Sequence, residues 1–324
     1  MTASVASFAE YDASEDRVRL ARAFFPDLAA ELDRALALHG NEPHDDLDAL
    51  IDAHLRAGGV SSGVGRGVSA ADEGAENPSR AELAAEGFVG IADAATGDRL
   101  RQAFIRTRTV VGWIGLGLPE PEAFAAAGVD LPRLGSALTA SSTAGTELAP
   151  VIAPYGIGSA GWYGLFECAE QRGLLGKEAA ADPAPDADAP PRTPEPPLRI
   201  AAEALREFAL LDRAPNPETP VVTEAGVAWT LRLVPASPAP PVVGLSYEHG
   251  PHASLPEILM LQLTRSVAGE PPLDTASFTW LAGPLAGGRL AARHVYDTSE
   301  RVVRVNCREV GNQGPHLGSR RPVG

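Results

Sequence analysis

Alternating apolar and polar residues in the C-terminal third are the feature that most limits how this chain can fold. A period of two places every second side chain on one side of an extended backbone, so it indicates strands with one buried face. The apolar positions of these segments are Val227, Trp229, Leu231 and Leu233; Phe278 and Trp280; Leu290, Ala292, His294 and Tyr296; and Val303, Val305 and Cys307. Short turn sequences separate the last three segments, which predicts an antiparallel meander.

One helix is predicted between these strands. Ser254 and Glu257 have the spacing of a capping box, in which each side chain bonds the backbone amide of the other residue, and Pro256 lies in the first turn. We expect this helix to run to about Ser266. The chain is therefore predicted to be α+β, with an N-terminal helical hairpin, a mixed central region, and a C-terminal, mostly antiparallel sheet with one packed helix.

Changes in composition divide the chain into five segments. We predict a helical N-terminal segment (1–57), a flexible linker (58–78), a mixed α/β subdomain (79–176), a Pro-rich linker (177–197) and an antiparallel β-rich domain (198–324). The first linker is rich in Gly, Ser and acidic residues, and the second contains prolines, which lack the amide donor of regular structure. Within the subdomain, the run 109–114 predicts a buried strand, a second apolar run covers 148–155, and helices are expected from Pro121 and Ser159. Another helix is predicted over 198–211.

Net charge limits the classes of partner. The chain has 324 residues and a formal net charge of −15 at pH 7. Proteins that bind nucleic acids or anionic membranes need a positive field, so neither partner is expected. The first ten residues lack the basic and apolar parts of a secretory signal, and the longest apolar stretch, 109–118, is too short to span a bilayer. The sequence therefore predicts a cytoplasmic protein, and it does not indicate an oligomeric state.

A glycine-rich turn at 156–161 has the pattern G-x-G-x-x-G between an apolar run and a predicted helix. In dinucleotide-binding folds this turn places helix amides against a pyrophosphate. That fold also needs a second parallel strand that ends in an acidic residue about twenty residues later. Since the Pro-rich segment occupies this place, we interpret the pattern as a chance match.

The densest group of metal-ligating side chains is Glu248, His249 and His252. Two imidazoles in one loop could bind zinc or iron if His294 or His316 supplied another ligand. This arrangement would suit a metal-dependent hydrolase. The alternative is that these histidines are ordinary loop and core residues, in which case no cofactor is expected.

Arginines are concentrated at the end of the chain. Residues 284–324 contain seven arginines and three acidic residues, in contrast to the acidic remainder. Arg304 and Arg308 alternate with the apolar positions of one predicted strand, and Arg293 does so on the preceding strand. If the strands pair, these guanidinium groups converge beside a polar tail, and such groups suit carboxylate or phosphate. The predicted ligand-binding residues are Arg293, Arg304, Arg308, Asn312, His316 and Arg320. Alternatively, the arginines pair with the chain's own acids in a solvated face.

One block of the C-terminal region resembles a known family. Phe278-Thr279-Trp280, Cys307, Gly311-Asn312 and Leu317-Gly318-Ser319 are similar to the C-terminal block of a domain family of unknown function from GC-rich bacteria. The resemblance covers residues 278–319 and implies no catalytic residue.

Three functions follow from these observations. The first is a non-catalytic or weakly catalytic cytoplasmic binding protein that recognises an anionic small molecule or an acidic protein partner through the β-rich domain. The second is a metal-dependent hydrolase that uses His249 and His252. The third is an immunity or chaperone-like protein whose acidity complements a basic partner.

Overall fold

The computed structural model describes residues 88–91, 93–143, 147–175, 196–214 and 219–324. These residues belong to one compact unit within Glu76–Gly324. The predicted N-terminal helices, the linker at 58–78 and nearly all of the Pro-rich segment at 177–197 lie outside the described residues.

The described helices and strands confirm the α+β class. The helices are α1 (Ala94–Gly112), α2 (Pro121–Ala126), α3 (Leu131–Thr143), α4 (Gly158–Gln171), α5 (Ala202–Arg206), α6 (Phe208–Leu211) and α7 (Leu255–Val267). The strands are β1 (Leu148–Tyr155), β2 (Leu198–Ile200), β3 (Val222–Glu224), β4 (Val227–Pro235), β5 (Val242–Val243), β6 (Phe278–Leu285), β7 (Leu290–Asp297), β8 (Val302–Glu309) and β9 (Leu317–Ser319). None of the described helices has both the length and the apolar character needed to cross a membrane.

Helix α1 corrects the strand predicted at 109–114. The helix begins where the Asp93 side chain accepts a hydrogen bond from the Thr96 amide at 2.9 Å, and it continues to Gly112. Its buried positions include Leu100, Phe104, Thr107 and Val111, which are spaced by three or four residues. This helical stripe continues into the apolar run, so residues 109–112 form the last turn of a long helix and residues 113–114 lie in the turn that follows it. The helices predicted from Pro121 and Ser159 correspond to α2 and α4.

A three-stranded antiparallel sheet has the order β1-β4-β3. Strand β1 pairs with β4 along its whole length, from Leu148 opposite Pro235 to Tyr155 opposite Ala228. Strands β3 and β4 form a hairpin with Ala225 and Gly226 in the turn. The sequence predicted both this turn and the strand at 227–233. Strand β1 precedes the Pro-rich segment in the sequence and β4 follows it. The mixed subdomain and the β-rich domain therefore contribute strands to one sheet.

A six-stranded sheet has the order β2-β8-β7-β6-β9-β5. Strands β6, β7 and β8 form the predicted antiparallel meander. Two parallel pairs, β2 with β8 and β6 with β9, make the sheet mixed. The first residues of the helix predicted over 198–211 are instead strand β2. This segment is extended because it bonds to β8 at both ends: the Val303 amide donates to Pro197 O at 2.9 Å, and the Ala201 amide donates to Val305 O at 2.8 Å.

Helix α7 lies within the main hydrophobic core. Its capping box is formed as predicted, with the Ser254 side chain accepting from the Glu257 amide and the Glu257 carboxylate accepting from the Ser254 amide. Every residue from Leu255 to Leu263 is buried, as expected for a helix that is apolar on most sides. The same core contains side chains from α1, α4 and both sheets.

A buried polar network anchors the start of α7 to the smaller sheet. The Tyr155 hydroxyl lies 2.9 Å from Ser254 Oγ, and Ser254 Oγ donates to Glu257 Oε2 at 3.0 Å. Arg232 Nη1 donates to Glu257 Oε1 at 3.1 Å. Burial raises the pKa of Tyr155, and the neighbouring charge of Glu257 raises it further, so the hydroxyl is neutral. This network joins β1, β4 and α7.

Candidate functional site

The outer face of the six-stranded sheet carries the arginines. On β7, Ala292, His294 and Tyr296 are buried, so Arg293 projects to the opposite side. The β7–β8 register places Arg293 opposite Asn306, with Arg308 opposite Ala291 and Arg304 opposite Val295. Side chains directly opposite each other lie on the same face of a sheet. The register therefore brings Arg293, Arg304 and Arg308 onto one face.

One part of this face is charge-balanced. Arg304 Nε donates to Asp297 Oδ2 at 3.2 Å, and its Nη2 donates to Glu300 Oε2. Arg199 Nη1, on the neighbouring strand β2, lies 2.8 Å from the same Glu300 oxygen. These two arginines thus follow the alternative expectation, in which the face pairs with its own acids.

Arg293 and Arg308 differ from that pair. The guanidinium carbon of Arg293 lies 3.9 Å from the centroid of the Phe278 ring, which is a cation–π contact. Burial lowers the pKa of Arg293, and the positive charge of Arg308 lowers it further. Within the described part of the chain, neither arginine forms an ion pair with an acidic side chain, and Arg293 Nε has no hydrogen-bond partner. Among the described residues, these two neighbouring cations therefore have no ion-paired acid.

A shallow depression of about 400 Å³ adjoins these two arginines. It lies at the edge of β8 beyond Val305, the last residue of β8 that pairs with β2. Its lining residues come from β7, β8 and the start of α5: Ala201, Glu203, Leu290, Arg293, Asn306, Cys307 and Arg308. We refer to this group as the arginine depression.

Sequence reasoning missed several members of the arginine depression. Asn306 alternates with Arg304 and Arg308, so the period-two pattern contained the signal that would have found it. Glu203 lies about a hundred residues earlier in the chain, and no pattern in the sequence connects it to β8. The Cys307 thiol is half-buried, and burial raises its pKa, with the charge of Glu203 raising it further. This thiol is therefore protonated and is a poor nucleophile.

The other predicted ligand-binding residues lie outside the arginine depression. Asn312 and His316 are exposed in the loop between β8 and β9. Arg320 is fully buried, so the prediction that it contacts a ligand at this face is wrong. Its acceptors are Thr279 Oγ1 (3.1 Å), Pro235 O (2.8 Å), Ser237 O (2.8 Å), Pro238 O (3.4 Å) and Asp274 Oδ1 (2.6 Å). A fork of five donors matches this set of inward-facing oxygens, which explains why an arginine is buried here.

Asp274 links Arg320 to His294 in the core. All three side chains are fully buried, and His294 Nδ1 donates to Asp274 Oδ2 at 2.8 Å. Burial pushes the pKa of Asp274 upward, but the hydrogen bonds and charges of His294 and Arg320 outweigh burial and hold the pKa below its ordinary value. The burial of His294 and its contact with Asp274 fit the alternative expectation, in which this histidine is an ordinary core residue.

The predicted metal ligands have separate partners. His252 Nε2 donates to Tyr247 O at 2.7 Å, and its Nδ1 lies 3.0 Å from Ser319 Oγ, so both ring nitrogens are engaged. His249 Nδ1 lies 2.8 Å from Ser246 Oγ. Glu248 is exposed beside it, whereas His294 is bonded to Asp274 in the core. Nowhere in the described ranges do three or more His, Cys, Asp or Glu side chains form a group that could hold a metal ion.

The glycine-rich turn connects β1 to α4, and its helix amides are used internally. Gly158 N, at the start of α4, donates to Asp212 Oδ2 at 2.7 Å. Burial raises the pKa of Asp212, and hydrogen bonds from the Gly158 and Gly156 amides oppose that rise. The partner of β1 is the antiparallel strand β4. The chain's own carboxylate thus occupies the position that a pyrophosphate takes in a dinucleotide-binding fold.

A second cavity, of about 480 Å³, lies between α1, the start of β1 and the end of α7. It also contains arginines, but their partners belong to the protein. Arg106 Nη1 lies 3.0 Å from Glu270 Oε1, and Arg265 Nη1 lies 3.2 Å from Glu270 Oε2. Arg99 Nη1 donates to Ser142 Oγ at 2.9 Å. The cavity therefore offers less uncompensated positive charge than the arginine depression.

Comparison of the chain with protein-family models, curated proteins and solved structures found no match. The resemblance over residues 278–319 stays a prediction.

Proposed function

We propose that this chain is a binding protein that holds a small anionic ligand in the arginine depression. The observation that supports the proposal is the adjacency of Arg293 and Arg308 without a described acidic partner, in a chain whose formal net charge is −15. Like charges at neighbouring positions of a sheet destabilise each other. A bound anion would remove that repulsion.

The side chains around the two arginines suit recognition. A guanidinium group donates two parallel hydrogen bonds to a carboxylate or phosphate. Stacking on Phe278 restrains Arg293, so less conformational freedom is lost when a ligand binds. The Asn306 amide, directly opposite Arg293, adds a neutral donor. A volume of about 400 Å³ is within the range of small-molecule sites.

The chemistry of the depression favours binding over catalysis. The Cys307 thiol is held protonated, and the lining residues include no histidine that could act as a general base. No described contact favours the metal-dependent hydrolase or the immunity function, so neither is proposed. An acidic protein partner remains an outcome that the experiment can reveal.

Isothermal titration calorimetry with phosphate, sulfate, succinate and an acidic peptide tests the proposal. Arg308→Gln should weaken binding by about 10- to 150-fold, because a hydrogen bond to a charged group contributes about 1.5–3 kcal/mol. The matched control is Arg304→Gln, which removes an arginine of the same face that is already paired with Asp297 and Glu300. The control should bind within about twofold of wild type, since its charge is already compensated.

Two results would contradict the proposal. One is the absence of heat for every small anion at millimolar concentration. The other is an equal loss of affinity in Arg308→Gln and Arg304→Gln, which would show that only the general field of the face matters. If an acidic peptide binds and the small anions do not, the ligand is a protein surface and the small-anion proposal is wrong.

A further inference from the structure

We infer that the arginine depression selects a phosphate monoester in its dianionic form. This inference depends on the proposed anion-binding function and specifies its ligand. It follows from three properties of the lining residues: the relative placement of the two arginines, their charge, and the apolar part of the lining.

The placement of the arginines favours a tetrahedral anion. Arg308 is opposite Ala291, and Arg293 is opposite Asn306, so the two arginines are diagonal neighbours on adjacent strands. Diagonal neighbours are about 7–8 Å apart, within reach of long side chains that meet at one group. One guanidinium fork occupies both oxygens of a carboxylate. A phosphate monoester has three terminal oxygens, so it can accept hydrogen bonds from both arginines and from the Asn306 amide.

The two guanidinium groups on the outer face of the sheet favour a ligand that carries two negative charges. Arg293 and Arg308 supply two positive charges that have no described acidic partner. A dianion matches them, whereas a phosphodiester, with one negative charge, leaves one cation uncompensated. Glu203 lines the same depression, so it repels ligands with further negative charge, such as pyrophosphate.

The apolar lining favours an ester over inorganic phosphate. Leu290 and Ala201 also line the depression. Leu290 belongs to the face of β7 that carries Ala292, so it reaches the depression at the edge of the sheet and not beside Arg293. They offer contact to the organic group of an ester, while free phosphate has no apolar part to bury. Small-molecule sites commonly combine a few polar groups with such apolar contact.

Calorimetric titration with glycerol 2-phosphate, dimethyl phosphate and pyrophosphate tests the inference. At pH 7.5, glycerol 2-phosphate should bind roughly tenfold or more tightly than dimethyl phosphate, because only the monoester is a dianion. Its affinity should increase as the pH rises from 5.5 to 7.5, since the second ionisation of a phosphate monoester lies near pH 6. Dimethyl phosphate has no ionisation in that interval, so its affinity should change little and it provides the control.

A variant tests the role of Glu203. Wild type should bind glycerol 2-phosphate more tightly than pyrophosphate, and Glu203→Gln should improve the relative affinity for pyrophosphate by roughly threefold or more, because it removes a like charge. An unchanged preference in Glu203→Gln would contradict this part of the argument.

The outcomes separate the inference from the proposed function. If glycerol 2-phosphate and dimethyl phosphate bind equally well, with losses in Arg308→Gln, the anion site stands and the dianion inference is wrong. If pyrophosphate binds more tightly than the monoester in wild type, the inference is also overturned. If no small anion binds, both the inference and the proposed function are refuted.

Discussion

Replacing Arg320 by methionine gives the sharpest test of how this fold is stabilised. The substitution removes the charge and keeps much of the apolar stem. It would leave the Asp274 carboxylate, the Thr279 hydroxyl and two backbone carbonyls without the donor that satisfies them. Because Arg320 and Asp274 are fully buried, water cannot replace the lost hydrogen bonds without rearrangement of the core.

The expected loss is large. Removing one partner of a buried ion pair costs about 3–5 kcal/mol, because an uncompensated charge stays behind. The total free energy of unfolding of a typical domain is roughly 5–15 kcal/mol. If the wild-type free energy of unfolding lies near the middle of that range, about 10 kcal/mol, Arg320→Met should lose about a third to a half of it. Adding Asp274→Asn removes the stranded charge, so the double variant should be more stable than the sum of the single effects by at least about 1 kcal/mol.

Urea denaturation followed by tryptophan fluorescence at pH 7 measures these differences. Arg320→Lys keeps the positive charge but loses the planar guanidinium group with its five donors. Its free energy of unfolding should therefore lie between those of wild type and Arg320→Met. The reasoning would be refuted if Arg320→Met lay within about 1 kcal/mol of wild type. Strict additivity of the two substitutions would equally show that Arg320 and Asp274 are not coupled.

Three further predictions concern glycine, acid and the helix cap. Gly318→Ala should lose about 1–3 kcal/mol of stability in the same urea titration, because a Cβ would overlap the carbonyl oxygen of Val242. Gly314→Ala is the control and should be nearly neutral, because a Cβ at that position meets nothing within 4 Å. The folded-state pKa of Asp274 is depressed, so its ionised carboxylate stabilises the fold above about pH 4, and this stability is lost as the pH falls through the folded-state pKa. Acid unfolding followed by circular dichroism should therefore depend less steeply on pH in Asp274→Asn than in wild type. Equal pH dependence in the two proteins would contradict this prediction. Ser254→Ala should lower the free energy of unfolding by about 1–2 kcal/mol in thermal denaturation through loss of the cap of α7, and an unchanged melting temperature would count against this role.

The β-meander was predictable because its information is local. Alternation defines the two faces of β7 and β8, and the short turns define their pairing, so the common face of Arg293, Arg304 and Arg308 follows from the sequence. The start of α7 was predictable for the same reason, since Ser254 and Glu257 form a capping box within a single turn.

Features that depend on distant residues were not predictable. Arg320 looks like a polar tail residue, and only its acceptors, which lie more than forty residues earlier in the chain, show that it is buried. Leu198 lies in a segment with helical composition, yet pairing with β8 makes it a strand. The strand predicted at 109–114 was wrong for a different reason. The length of this apolar run suits a strand, but the buried residues of α1, which includes most of the run, are spaced by three or four positions, as in a helix.

The pairing of β1 with β4 has a consequence for cutting the chain. Eight consecutive residue pairs join these strands, and the Pro-rich stretch lies between them in the sequence. The fragments 1–176 and 196–324 would each contain only part of the three-stranded sheet, and the first would expose Val151 and Ile152, which are buried in the intact core. The two fragments are therefore expected to behave as the halves of a split protein, each incomplete alone and able to reassociate through the edge that the cut leaves intact.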